Sequence, residues 1–114
     1  MNGKVRCAHI LQKHKGSRNP NDSFRNKPFT RTIEEALSNI QKFRETIVSG
    51  KGDFSELALQ YSECRSAGQG GDLGFFGRNE MQQAFEDVSF ALNKGELSEP
   101  VETDSGIHII LRIE

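Results

Sequence analysis

From Ile107 to Ile113 the chain reads IHIILRI, and a run this continuous in apolar side chains suits a strand covered on both faces. A second run, VRCAHILQ from Val5 to Gln12, sets Val5, Cys7, His9 and Leu11 on one face of a strand. Arg6, Ala8, Ile10 and Gln12 then fall on the other. A sheet built on two such strands needs helices packed against it.

The sequence supplies them. Thr32 stands three residues before Glu35, the spacing of a capping box, and Ile33, Ala36, Leu37, Ile40, Phe43 and Ile47 recur at helical intervals up to Gly50. Asp53 and Glu56 repeat the capping spacing, and Phe54, Leu57, Ala58 and Tyr61 form the apolar stripe of a shorter helix. Cys64 falls at or just past its end. DLGFFG, from Asp72, reads as a short strand, and Asn79 is placed to cap a helix whose Met81, Phe85, Val88 and Leu92 share one face. Gly95 and Pro100 mark turns. Pro100 to Thr103, then Asp104, Ser105 and Gly106, then the final apolar run read as a hairpin. The order βααβαββ predicts one α+β domain over residues 1–114, with an antiparallel sheet packed by helices.

A chain of 114 residues buries roughly 60–70% of its unfolded surface on folding, enough for one core, and its eight phenylalanines can fill it. The two cysteines, Cys7 and Cys64, form no CxxC pair and no secretory segment follows Met1, so a reducing cytosol or nucleus is expected. No apolar run approaches the ~20 residues of a membrane span, so the expectation is a soluble protein without a membrane partner. Charge is unevenly distributed. From Lys13 to Arg31 there are six Lys and Arg against one Asp, while nine basic and fifteen acidic residues make up the rest. Such a stretch is either a solvated basic loop or a site for phosphate or carboxylate. With only Phe24 and Phe29 interleaved, it does not predict nucleic-acid binding.

The segment YSECRSAGQGGDLGFF, from Tyr61 to Phe76, juxtaposes a cysteine with a glycine run. From Gly68 the third glycine of a dinucleotide fingerprint would fall on Leu73, and no glycine-lysine pair closes a phosphate loop. The glycines therefore read as turn and close-approach positions. Cys64 is a nucleophile only if a base lies near, and His9 and His108 are the candidates. The same three side chains could bind zinc, although only Cys7-x-His9 has the short spacing of a ligand pair. Each could equally be structural. His9 and His108 both sit mid-strand in apolar segments, where an unpaired polar group costs ~1–3 kcal/mol, and neighbouring strands would let the imidazoles satisfy each other.

VRCAHILQKHKGSR, YSECRSAGQGGDLGFFGRNEMQQAFEDVSFAL and ELSEPVETDSGIHIILR together resemble the parvulin peptidyl-prolyl cis-trans isomerases of the Pin-type, phosphorylation-directed branch. The likeness runs in order over nearly the whole chain and diverges around Ser23 to Phe29. It implies a four-stranded antiparallel sheet packed by about four helices, in the order β-α-α-(α)-β-α-β-β. It further implies that His9 and His108 are the paired histidines at the floor of the site, that Cys64 faces them, and that Ser105 belongs with them. Leu73, Met81 and Phe85 fall where the family builds its proline pocket, and Gln82 and Thr103 line the same site. Lys13 and Arg18 match two members of the cationic cluster that takes the phosphate before proline. Asn19 stands at the third basic position, where it can donate a hydrogen bond but brings no charge; Lys15 and Arg25 are the nearby cations that could compensate. The chain has no tryptophan, so the WW module of better-known members is not expected within it.

The implied activity is isomerisation of phosphoserine- and phosphothreonine-proline bonds in other proteins by non-covalent rotation, by a monomer with no cofactor or metal. Two alternatives stay open: a phosphate-independent parvulin, which Asn19 permits, and a non-catalytic module or chaperone that grips proline-containing segments. A thiol redox or metal protein is a third.

Overall fold

The structure is a computed structural model and describes residues 3–18, 21–22 and 27–114. Strand β1 (Lys4–Gln12) enters the basic stretch, where β2 (Asn21–Asp22) and β3 (Lys27–Pro28) make a two-residue antiparallel pair. Helices α1 (Ile33–Val48) and α2 (Phe54–Tyr61) follow, then a 3-10 turn at Arg65–Gln69. Strand β4 (Asp72–Gly77), helix α3 (Gln83–Ala91), β5 (Val101–Thr103) and β6 (Gly106–Arg112) complete the order. The main sheet runs β4-β1-β6-β5 with every pair antiparallel. This is the expected α+β architecture, the fourth helix being the 3-10 turn.

Strands β1 and β6 are central, and apolar clusters cover both faces of the sheet. On one side Ala8, Ile10, Ile107 and Ile109 pack against Ala36 and Ile40 of α1 and Phe54 and Ala58 of α2. On the other, Val5, Cys7, Phe76, Val101 and Ile110 pack against Phe85 and Leu92. Each fully buried isoleucine contributes about 1.5–3 kcal/mol of apolar transfer. The strand pairing sets Ile110 beside His9 and Leu11 beside His108. Side chains two apart share a face, so His9 and His108 are diagonal neighbours on the α3 side of the sheet.

Helix α1 begins as its sequence dictates: Thr32 Oγ1 accepts from Glu35 N at 3.1 Å, and Glu35 Oε1 accepts from Thr32 N at 3.0 Å. Three local expectations are corrected. Leu37 is exposed, because it lies one residue off the stripe through Ala36 and Ile40. Tyr61 is exposed as well, stacking on Phe43 at the outer edge with ring centroids 5.0 Å apart. Asn79 does not cap α3; the helix starts at Gln83, and Asn79 lies in a left-handed turn at φ 68°.

Candidate active site

His9 and His108 meet at the end of the α3-side row, where apolar packing gives way to polar groups. Their Nδ1 atoms are 2.9 Å apart and the rings stack with centroids at 5.1 Å. His108 Nε2 lies 2.6 Å from Thr103 Oγ1, which also accepts from Ser105 N at 3.1 Å. A neutral imidazole has one N–H and one lone pair, so the two bonds of His108 must run through the ring in one sense. Either Thr103 donates to His108 and His108 to His9, or both bonds reverse. Two imidazolium rings cannot share this contact. Burial first, and then the neighbouring His9, push His108 down to about 3, so it stays neutral.

The remaining nitrogen, His9 Nε2, is buried and closes no hydrogen bond; neither does Ser66 Oγ. The group both face is Cys64, which precedes the 3-10 turn and is half-buried. Burial acts to raise its thiol, but the neighbouring His9 and Ser66 side chains outweigh burial and bring it down to about 6. Gly71, at φ 85°, makes this approach possible: its carbonyl accepts from His9 N at 3.0 Å, and a Cβ there would run into the His9 carbonyl oxygen.

Phe85 closes the other side. Its ring stands edge-on to His9 at 5.4 Å and to His108 at 5.2 Å, and Leu73 and Met81 pack partly buried against the same cluster. Gln82 bridges to the hairpin turn, Nε2 donating to Ser105 Oγ at 2.8 Å and Oε1 accepting from Asp104 N at 3.1 Å. The result is an apolar wall beside a chain of linked polar groups. Among the described residues no three His, Cys, Asp or Glu side chains gather as metal ligands, and no helix is long and apolar enough to cross a membrane.

Residues 9–114 match the family described as rotamase, PPIC-type PPIASE domain. The chain belongs to the PPIC-type rotamase family. It is 53% identical over 112 residues to the peptidyl-prolyl cis-trans isomerase ssp-1 of Neurospora crassa, covering 98% of this chain and 61% of that protein. Against the Pin1 isomerase of Arabidopsis thaliana it is 47% identical, covering 96% of this chain and 94% of the relative. The rotamase fold is equally close in solved structures. The peptidyl-prolyl isomerase ESS1 from Candida albicans superposes with a TM-score of 0.95 at 42% identity, over 99% of this chain and 64% of that one. The solution structure of TbPIN1 gives 0.89 at 45% identity, with both chains fully covered.

Within this rotamase domain the structure brings together His9, His108, Cys64, Phe85, Leu73, Met81, Gln82, Thr103 and Ser105. Thr103 is the residue that touches the His108 imidazole, whereas Ser105 bonds to Gln82 and, through its N–H, to Thr103. Of the basic residues, Lys13 follows β1 directly, and Arg18 is brought to the site by its backbone N–H, which donates to Asp104 O at 2.6 Å. The turn between them is built by buried His14 and Ser17: His14 N donates to Ser17 Oγ and Ser17 N to His14 O, each at 3.0 Å. Lys15 is exposed, its N–H donating to Arg31 O. Asn19 and Arg25 lie outside the described residues.

Two site-supporting residues escaped the sequence reading. Glu63 Oε1 accepts from Lys13 N at 2.7 Å and from Arg31 Nη1 at 2.8 Å, and Arg31 Nη1 also donates to Lys13 O at 2.8 Å. This pair fastens both ends of the basic stretch to the segment that carries Cys64. Its one sequence signal was a glutamate adjacent to the cysteine, which says nothing about a partner 32 positions away.

Proposed function

We propose that the protein is a peptidyl-prolyl cis-trans isomerase acting on phosphoserine- and phosphothreonine-proline segments of other proteins. The observation that carries this reading is the union of two features at one turn. Thr103, Asp104 and Ser105 hold the imidazole pair and Gln82 on one side and the Lys13–Arg18 turn on the other. Rotation about a peptide bond faces a barrier of ~18–20 kcal/mol from the partial double bond. Lowering it by about 4 kcal/mol speeds the exchange roughly a thousandfold. A twisted prolyl amide has lost its conjugation, and its ring is apolar. The ring seats against Leu73, Met81 and Phe85, water is kept from the planar polar form, and Gln82 and the Cys64–His9–His108–Thr103 chain face the rotating amide. No covalent bond forms. Lys13 and Arg18 are the cations this reading assigns to an anion one residue before proline. The free thiols of Cys7 and Cys64 suit a reducing cytosol or nucleus.

The test is exchange NMR on matched phosphoserine-proline, glutamate-proline and serine-proline peptides, with wild type and Arg18→Ala. Faster exchange of the phosphopeptide, lost in Arg18→Ala, supports the reading. Equal exchange of all three makes the protein a phosphate-independent isomerase. Saturable binding without exchange makes it a proline-segment binding module.

A further inference from the structure

Glu86 is the one buried carboxylate among the described residues, at 3% exposure, and nothing in the proposed chemistry uses it. It sits in the first turn of α3, where the helix dipole favours a negative charge. Its hydrogen bonds lead back into the preceding loop. Oε1 accepts from Asn79 N at 2.6 Å, and Oε2 accepts from Arg78 Nη1 at 3.2 Å and Gln83 Nε2 at 3.3 Å. The Arg78 guanidinium also lies over the Phe90 ring, 4.0 Å from its centroid. These contacts act on a backbone that needs holding, since Asn79 is the one non-glycine among the described residues in the left-handed region. Gln82, the N-cap residue of α3, makes no side-chain capping bond, because its amide is committed to Ser105 and Asp104. The loop that Glu86 holds is the one that delivers Met81 and Gln82 to the site.

We propose that Glu86 is a positioning residue for the isomerase reaction, its carboxylate fastening the Arg78–Gln82 segment so that Met81 and Gln82 stand at a fixed place against Phe85 and the imidazole pair. The inference rests on the reading that Met81 and Gln82 wall the proline pocket. Reach matters more than charge here, because the Asn79 N–H needs an acceptor at the end of a glutamate-length side chain.

Glu86→Gln keeps the reach and loses the charge; Glu86→Asp keeps the charge and loses the reach. Steady-state isomerisation of one prolyl peptide series is measured for both variants and for Met81→Ala, with urea unfolding to set conditions where every variant is folded. The expected result is that Glu86→Gln stays within threefold of wild-type kcat/KM. Glu86→Asp falls at least tenfold, chiefly through a raised KM, with the ratio between phosphorylated and unphosphorylated peptides unchanged. If Met81→Ala raises KM while Glu86→Asp matches wild type, or while Glu86→Gln is as impaired as Glu86→Asp, the positioning role is overturned and the pocket stands. If Met81→Ala leaves KM unchanged, the pocket reading falls and takes this role with it.

Discussion

A thiol brought down to about 6 is ionised at neutral pH, so Cys64 presents a negative sulfur to His9 and Ser66. That selects one sense of the hydrogen-bond chain, with His9 Nε2–H aimed at sulfur, His108 Nδ1–H at His9 and the Thr103 hydroxyl at His108. Alkylation of Cys64 by iodoacetamide should therefore rise with pH about a midpoint near 6, and a midpoint at the ordinary thiol value would refute the assignment. Stability follows by linkage. Between about 6 and 9 the unfolded chain holds a proton on this sulfur and the folded protein does not, so the contribution of Cys64 grows across that window and vanishes below it. The urea midpoint of wild type should climb over that window relative to Cys64→Ser. On the proposed reading of Cys64 as a polar wall and not a nucleophile, Cys64→Asp should keep much of the activity, whereas Phe85→Leu should lose at least tenfold in kcat/KM by withdrawing the ring from both imidazoles. His9 and His108 were legible in the sequence because a polar side chain inside an apolar strand demands a partner. Glu63 and Arg31 were not, because two charges in a polar stretch demand nothing.

Elements form where local chemistry and packing agree, and α1 shows the agreement. Thr32→Ala should cost about 1 kcal/mol in urea unfolding through loss of the cap, and leave isomerisation untouched, since no site residue lies on that helix. Helix α3 shows where local chemistry loses. Asparagine is a capping type and glutamine is not, so the sequence predicts the start at Asn79; the fold instead begins the helix at Gln83 and gives Gln82 to the hairpin turn. The β2–β3 pair leaves no signal in the sequence, because two residues give no periodicity. The glycine run was legible as backbone freedom, but only the three-dimensional contact tells which glycine needs it. Gly71 has its α-hydrogen against His9, while Gly68 has open space around it. Gly71→Ala should lower both stability and activity, by displacing His9, and Gly68→Ala should change activity by less than twofold.

Across the whole molecule, the sheet divides labour between its faces. The side under α1 and α2 is apolar throughout its centre, whereas the α3 side changes along β1 from Val5 and Cys7 to His9, so the packing that stabilises the domain runs directly into the site. The order of strands was not legible, since spacing fixes neither neighbours nor register; the doubly covered central strand was, from its composition alone. Charge is also divided. Any advantage of a phosphorylated peptide should shrink as salt shortens the Debye length from about 10 Å at 0.1 M to about 3 Å at 1 M, while the serine-proline rate stays level. Finally, Asp104 accepts from Arg18 N–H through its carbonyl oxygen and donates its own N–H to Gln82 Oε1. One residue thus ties the Lys13–Arg18 turn to the Gln82 amide, and the proposed function makes this spacing a ruler: a phosphate moved one residue further from proline should gain nothing.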